Sequence, residues 1–265
     1  MRLLQQLPYS LVEDLSLWYN IIRARTVVPA RTYVRKRPYI MEITWLGHSC
    51  FQLRGKNVTL ITDPFSPQYG DVSKLGKTNA SIVTVSHEHA GHNYVEGITG
   101  VGGKAPRVVH SPGEYEISDV LITGVASYHD NKRGQEQGRN TIFIIHLDDI
   151  AVCHLGDLGH TLQEEQLEDV ADADVLLLPI GGHNGLNMTQ TAEIIGQVEP
   201  RVVIPMHYKP VAPDDTSGET PNQLEKFCRE MGIDKNNIQP KFTITHNTLT
   251  TALSTELQII LLSPR

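Results

Sequence analysis

The sequence predicts a layered α/β fold in which helices cover β-sheets. From residue 41 onward, short apolar runs such as "VTLIT", "TIFIIHL" and "DVLLLPI" are bounded by Gly, Pro or Asp, which is typical of strands buried on both faces. Helical patterns occur mainly in the second half of the chain, so strands come first and strands mixed with helices follow. This order favours layered sheets covered by helices within one domain.

Three segments of the second half carry helical patterns. The segment "TLQEEQLEDV" begins with Thr161 and Glu164 at the spacing of a capping box. The segment "MTQTAEIIGQV" is a second candidate. The segment "TPNQLEKFCREMG" combines Thr220 as N-cap, Pro221 at the first helical position and Gly232 as a stop signal.

The first 40 residues differ in character from the rest. Residues 11–24, "LVEDLSLWYNIIRA", have the spacing of a helix, and residues 1–40 hold seven basic and two acidic residues, a charge of +5. They lack the apolar core and cleavage site of a signal peptide. We expect residues 1–40 to be a basic N-terminal extension, made of a helix and an arm, to a domain at 41–265. A solvated or docked arm, a membrane-surface contact and a contact between copies in a homo-oligomer are the alternatives for it.

Composition narrows the function classes. With 40% hydrophobic and 20% charged residues the chain is typical of globular proteins, and no apolar run approaches the roughly 18 residues that span a bilayer. The total charge is −7, so residues 41–265 carry −12, which argues against nucleic-acid binding. The three cysteines form no CxxC pair, as expected for a reduced cytoplasmic protein without a cysteine-based zinc site.

A His or Asp follows each of five predicted strands. Asp63 ends "VTLIT", His87 ends "SIVTVS", His129 follows "VLITGVASY", Asp157 follows "IAVCHLG" and His207 ends "RVVIPM". A lone histidine at a strand end is more often hydrogen-bonded or solvent-exposed than functional. In layered α/β proteins, however, such ends meet at one edge, and imidazole and carboxylate groups are the ligands of borderline metals such as Zn²⁺. Jointly the five residues favour a metal site.

The stretch "SHEHAGHNY" adds three histidines within six residues. Together with the strand-end residues, it resembles the set of five sequence motifs of the metallo-β-lactamase superfamily. The stretch itself resembles the second of these motifs, His-x-His-x-Asp-His. The resemblance covers roughly residues 42–265, with the motifs in order. The other four motifs are matched by Asp63 in "LITDPF", His129 in "ASYHD", Asp157 in "HLGDLGH" and His207 in "IPMHY".

The resemblance implies a four-layer αββα sandwich carrying the N-terminal helical extension, and it implies roles for the matched residues. A first metal would be held by three histidines and a second metal by two, with an aspartate bridging them and another aspartate orienting the ligands. In this sequence the metal ligands would be His87, His89, His129, His92, His207 and the bridging Asp157, and the catalytic residues would be Asp157, His207 and Asp63.

The resemblance also implies a metal-dependent hydrolase, using Zn²⁺ or Mn²⁺, in which metal-bound hydroxide attacks an ester, a lactone or a phosphodiester. The stretches "ITWLGHSCF" and "GDLGH" are most similar to the branch with the L-ascorbate phosphate lactonase and the N-acylphosphatidylethanolamine phospholipase D, which favours a small anionic substrate. Two other hypotheses stay open. The first is that the chain is a catalytically degenerate metal-binding or regulatory protein. The second is that it is a peripheral membrane phospholipid hydrolase without stable membrane insertion.

One residue departs from the pattern, because Gly91 stands where the second motif has its Asp. Without that carboxylate we expect one strongly bound Zn²⁺ and a second metal that is weak or absent, since close cations need anionic ligands. Asp130 is a candidate to compensate for the missing carboxylate. If ligand loss is the whole explanation, Gly91→Asp should increase the bound metal.

Three further histidines are candidate substrate contacts. His48 lies in a predicted tight turn, where a structural hydrogen bond is the alternative to a position near the pocket. His160 follows the Asp157 motif, and His183 lies in the glycine-containing stretch "PIGGHNGLNM". The polar loop at residues 129–141 supplies Lys132, Arg133 and Arg139 as candidates to meet an anion, although a merely solvated loop is the alternative.

Overall fold

The computed structural model describes residues 39–75, 78–181, 186–208, 223–250 and 256–265. The predicted helix at residues 11–24 and the substrate candidate His183 lie outside these residues, as does all of the predicted extension except residues 39 and 40. The strands are β1 (Met41–Gly47), β2 (Cys50–Arg54), β3 (Thr59–Thr62), β4 (Asn79–Ala80), β5 (Ile82–Thr84), β6 (Thr99–Gly100), β7 (Arg107–Val109), β8 (Gly113–Ile117), β9 (Val120–Tyr128), β10 (Arg139–Leu147), β11 (Ile150–His154), β12 (Val175–Pro179), β13 (Val202–Met206), β14 (Ile238–Gln239), β15 (Phe242–Ile244), β16 (Gln258–Ile259) and β17 (Leu261–Leu262). The α-helices are α1 (Glu164–Val170), α2 (Met188–Val198), α3 (Gln223–Met231) and α4 (His246–Thr250).

Two large mixed sheets form the body of the described residues. The first has the order β15-β1-β2-β3-β5-β7 and the second the order β16-β13-β12-β11-β10-β9-β8. In the first sheet β3, β5 and β7 are parallel, and in the second β11, β12 and β13 are parallel. Every residue of β11, β12 and β13 is buried, as expected for central strands covered on both faces. The parallel strands point their carboxyl ends toward one edge of each sheet.

The two sheets face each other across a shared apolar core. Phe51 and Ile82 of the first sheet and Phe143 and Val152 of the second are fully buried members of one cluster. On the far side of the second sheet, α1 contacts α2 and β9, and α2 contacts α3. This arrangement confirms the predicted layered α/β sandwich.

The outer face of the first sheet has a different cover. A second, smaller cluster joins Ile61 and Val83 of the sheet to Phe65 and Leu75, which follow β3, and to Ile98, which follows β5. These connections contain short 3₁₀ turns at Pro67–Tyr69 and Val72–Lys74 after β3 and at Val95–Gly97 after β5. Among the described residues, no helix is long and apolar enough to cross a membrane.

One predicted helix start is wrong by two residues. The capping box of α1 is formed by Gln163 and Gln166, whose side chain accepts from the Gln163 amide at 3.1 Å, and not by Thr161 and Glu164. The Gln166 side chain also donates to the carbonyl of Ala126 in β9 at 2.7 Å. This tertiary contact sets where the helix begins, and a local pattern does not reveal it. The predicted stop at Gly232 follows α3 directly, with φ of 67°.

Candidate metal centre

The polar residues that follow the strands converge where the two sheets meet. Asp63 follows β3, His129 follows β9 and His207 follows β13, and each is largely shielded from solvent. Asp63 and His207 have φ values of 36° and 59°, a region that residues other than glycine seldom occupy and that is often found at functional sites. The chain thus turns sharply at these strand ends, and it places their side chains together.

The first cluster consists of His87, His89 and His129. One ring nitrogen of each lies within 4.8 Å of the others, and the ring centroids are 4.7 to 5.2 Å apart. His87 and His129 are buried, whereas His89 is exposed. Three imidazoles open to solvent on one side match the three-histidine arrangement that leaves a coordination position for water.

The second cluster consists of His48, His92 and His207. Their ligand nitrogens also lie within 4.8 Å of one another. The ring of His48 is 4.0 Å from that of His207 and 4.8 Å from that of His92, measured between centroids. His92 and His207 were expected here from the sequence. His48 was expected at most to contact substrate, and the structure instead makes it a full member of this cluster.

Asp157 lies between the two clusters. Its Oδ2 atom is 2.6 Å from His129 Nε2, 3.4 Å from His207 Nε2 and 3.9 Å from His92 Nε2. The Asp157 amide donates to Asn140 Oδ1 at 3.0 Å. The preceding Gly156 has φ of 62°, and a Cβ there would lie 2.3 Å from that same oxygen. Glycine is therefore required for the close approach that brings Asp157 to the centre.

Asp63 orients ligands of both clusters through one carboxylate. Its Oδ1 accepts from the Ser86 amide at 2.8 Å, and its Oδ2 accepts from Ser86 Oγ at 2.5 Å and faces His92 Nδ1 at 2.8 Å. The Ser86 hydroxyl also lies 2.9 Å from His87 Nδ1. An ionised carboxylate only accepts, so His92 carries its proton on Nδ1, the atom that faces Asp63. The Ser86 hydroxyl donates its single hydrogen to Asp63 and therefore accepts from His87, which also carries its proton on Nδ1. Both Nε2 atoms then present lone pairs.

Several polar atoms at the centre have no protein partner. His87 Nε2, His129 Nδ1, His207 Nδ1 and Asp157 Oδ1 are buried without a hydrogen bond. Each unpaired buried polar group costs about 1–3 kcal/mol, so four of them in one place indicate a missing ligand. Converging imidazole nitrogens around one carboxylate suit a divalent metal of the zinc type. The residues present therefore fit a metal ion.

The local electrostatics favour the neutral form of three histidines and the ionised form of Asp157. Burial, assisted by neighbouring histidines, lowers the pKa of His48 to about 2 and the pKa values of His87 and His92 well below the ordinary range. Burial alone would raise the pKa of Asp157, but the hydrogen bond from His129 and the nearby His207 hold it below its usual value. Burial lowers the pKa of His129, but its hydrogen bond to Asp157 outweighs burial and raises that pKa above the ordinary value. Burial raises the pKa of Asp63 to about 6. Neutral imidazoles and ionised carboxylates are the forms that coordinate metals.

Two sequence expectations are not supported by the contacts. His160 was expected to reach substrate, but its Nε2 accepts from the Tyr128 amide at 3.2 Å and its Nδ1 donates to the Thr161 carbonyl at 2.7 Å. Both ring nitrogens are thus used by main-chain groups, one of them at the end of β9. Asp130 was a candidate to replace the missing carboxylate, but it accepts four amides between residues 132 and 137 and closes that loop instead.

Two residues that support the centre, Ser86 and Asn140, were not predicted from the sequence. Ser86 links Asp63 to His87, and Asn140 uses its side chain to hold the carbonyl of Leu155 as well as the Asp157 amide. Ser86 directly precedes the histidine motif, so its position was a usable signal. Asn140 lies inside β10, and only the folded arrangement shows its role.

Comparisons with known proteins agree with this geometry. The model of the β-lactamase superfamily domain family matches residues 42–207. The chain is 26% identical over 219 residues to a UPF0173 metal-dependent hydrolase of Methanopyrus kandleri, covering 73% of this chain and 94% of the relative. It is 28% identical over 222 residues to a UPF0173 metal-dependent hydrolase of Archaeoglobus fulgidus, covering 73% and 93%.

Solved structures show the same fold. A candidate zinc-dependent hydrolase of the metallo-β-lactamase superfamily from Thermotoga maritima is 30% identical, covers 84% of this chain and 98% of its own, and superposes with a TM-score of 0.61. A diiron β-hydroxylase of Streptomyces venezuelae, at 14% identity and a TM-score of 0.54 over 79% of this chain and 54% of its own, shares the fold alone. The family match over more than half of the chain, together with these relatives, shows that the chain belongs to the metallo-β-lactamase superfamily of metal-dependent hydrolases.

Proposed function

We propose that this chain hydrolyses an ester, a lactone or a phosphodiester bond of a small anionic substrate. The observation that carries the proposal is the position of Asp157 between two histidine clusters, where buried atoms of His87, His129, His207 and Asp157 itself have no protein partner. We further propose Zn²⁺ as the metal, because imidazole nitrogens dominate the donor set, with Mn²⁺ as the alternative.

The residues of the centre have different proposed roles in holding a metal and in orienting its ligands. His87, His89 and His129 would hold one metal, and Asp157 would face both clusters. A bound divalent metal lowers the pKa of a coordinated water to about 7 and polarises the scissile carbonyl or phosphoryl oxygen. Asp63 keeps ring protons on the Nδ1 atoms, and Asn140 fixes the main chain of Asp157.

The open side of the first cluster is the entrance that suits a substrate. His89 is exposed there, and the loop that follows His129 carries the exposed cations Lys132, Arg133 and Arg139. Lys132 pairs with Glu136 at 2.5 Å. Arg133 and Arg139 are therefore the better candidates to attract an anionic group.

The test is metal-dependent turnover by the full chain. The chain is stripped with a chelator, reloaded with Zn²⁺ or Mn²⁺ and offered a nitrophenyl acetate, a simple lactone and bis(nitrophenyl) phosphate. We expect at least one substrate to be cleaved only after reloading. Asp157→Asn should lower that rate by about 100-fold or more, because one carboxylate faces both clusters.

His146→Ala is the matched control, since this exposed histidine lies near the other end of β10 from the centre, and it should retain full activity. Absence of turnover on all three bond types by metal-loaded chain would contradict the proposal and favour a non-catalytic metal-binding protein.

We also propose that the chain works in the cytoplasm. Cys50, Cys153 and Cys228 are all buried and free of disulfides, and unpaired cysteines are typical of reducing compartments. Fractionation of cells that express the chain, with the cytosol as the expected fraction, checks this assignment.

A further inference from the structure

Position 91 is a glycine for reasons of space and not of backbone conformation. Gly91 is not one of the glycines with a positive φ, so its main chain would accept other residues. A Cβ atom at this position would lie 2.6 Å from His48 Nε2 and 3.1 Å from His48 Cδ2. Carbon atoms in contact are normally about 3.5–4.0 Å apart. The absence of a side chain at 91 therefore makes room for the ring of His48.

The main chain around His48 fixes where that ring points. Gly47 and His48 have φ values of 121° and 52°, in a region that histidine seldom occupies. The His48 carbonyl accepts from the His207 amide at 3.0 Å and from Trp45 Nε1 at 2.9 Å. The turn after β1 is thus tied to the residue that follows β13, and the His48 ring is carried to the centre with it.

The ring of His48 completes a set of donors. Its ligand nitrogen lies within 4.8 Å of those of His92 and His207, and the Asp157 carboxylate is 3.4 Å from His207 Nε2 and 3.9 Å from His92 Nε2. We infer that the chain has a second metal-ion site held by His48, His92, His207 and Asp157. In it the His48 imidazole replaces the aspartate that the superfamily motif has at position 91. The inference rests on the proposed function in one respect, since both need a metal at this centre.

The exchange of ligands changes the chemistry of the second site. An imidazole is neutral where an aspartate carries a negative charge, so two three-histidine clusters share the single carboxylate of Asp157. Imidazole suits Zn²⁺, Fe²⁺ and Ni²⁺, whereas carboxylate suits Mn²⁺ and Mg²⁺. We therefore expect the second site to accept Zn²⁺ or Co²⁺ and to discriminate against Mn²⁺. The expectation from sequence that Gly91 leaves this site short of a ligand did not include His48.

The test counts metal ions in the full chain and does not depend on activity. Stripped protein is titrated with Zn²⁺ by calorimetry, and bound zinc is measured after desalting by mass spectrometry. His48→Gly removes the ring and suits the positive φ. Gly91→Ala adds a methyl group that displaces the ring without adding a ligand. The double variant His48→Gly with Gly91→Asp exchanges the two ligands, and His146→Ala is the histidine control.

We expect two Zn²⁺ per chain for the unmodified protein and for the control, and one for His48→Gly and for Gly91→Ala. The double variant should regain the second ion and bind Mn²⁺ more tightly than the unmodified protein does. Two ions in either single variant would overturn the inference, as would loss of all zinc from both, because the first cluster does not contain His48. One ion in the unmodified chain would overturn the inference and leave the proposed function standing, whereas no ion would overturn both.

Discussion

Asp63→Asn tests how much the orientation of the ligand histidines contributes to metal binding, because it leaves every proposed metal ligand in place. Asp63 is fully buried, and it contacts Ser86 at two atoms and His92 at one. Asparagine has the same shape and tolerates the positive φ of 36° at this position. The Ser86 amide keeps its acceptor, and the Ser86 hydroxyl can rotate to accept from the new NH₂ group. His92 Nδ1–H, however, then faces another donor.

The size of the effect follows from that one lost contact. The His92–Asp63 pair is fully buried at 2.8 Å, and a hydrogen bond to a charged group contributes about 1.5–3 kcal/mol. Loss of such an orienting partner lowers metal affinity by about 10- to 100-fold. We expect a loss in this range, at the ion bound by His92, because that ring has lost its fixed tautomer.

Competition between the protein and a chromophoric zinc chelator measures the affinity of each ion. Ser86→Ala should instead lower the affinity for the ion at the cluster that contains His87, because His87 Nδ1 lies 2.9 Å from the Ser86 hydroxyl. Asp119→Asn is the matched control, because Asp119 is exposed and also has a positive φ. Zinc affinity within twofold of the unmodified chain in Asp63→Asn would refute the orienting role of Asp63.

Three further predictions follow from the contacts. Asn140→Ala strands the Leu155 carbonyl and the Asp157 amide, so urea unfolding should show a loss of about 1–3 kcal/mol, with lower turnover. Burial raises the pKa of Asp130, but four amide donors outweigh it and lower the pKa to about 2. Its support of the loop is therefore present above its unfolded pKa and lost as pH falls through about 2. Asp130→Asn should speed amide exchange at residues 132–137 at neutral pH, and unchanged exchange would contradict this. Zinc at 100 times its Kd should stabilise the fold by about 2.7 kcal/mol, measurable as a rise in Tm, and an unchanged Tm would show that the folded chain holds no zinc.

The strand-end pattern made the fold class and most of the centre predictable. Continuous apolar runs indicate buried strands such as β11, β12 and β13. Because these strands are parallel, the residues that follow them are brought to one edge of the sheet. Continuous apolar runs are typical of parallel strands, and parallel strands end at the same edge of a sheet. Asp63, Asp157 and His207 follow parallel strands and could therefore be selected without knowing any distance. His129 follows β9, which is antiparallel to both of its neighbours.

Other features depend on contacts between distant segments. His48 enters the second cluster because a left-handed turn is tied to His207, which is 159 residues further along, and no local pattern encodes that bond. The sequence predicts that Gly91 leaves the second site short of a ligand, but the His48 ring that lies against Gly91 is outside the motif, so the motif alone does not reveal it. His160 has the residue type and the neighbourhood of a site residue, but main-chain groups use both of its nitrogens.

Anomalous diffraction at the zinc absorption edge, from crystals of the zinc-loaded chain, tests the metal centre most directly. The structure predicts two peaks per chain, one coordinated by His87, His89 and His129 and the other by His48, His92 and His207, with Asp157 contacting both. Zinc bound away from these residues, or no peak at either cluster, would contradict the central claim that the convergent histidines form a metal centre.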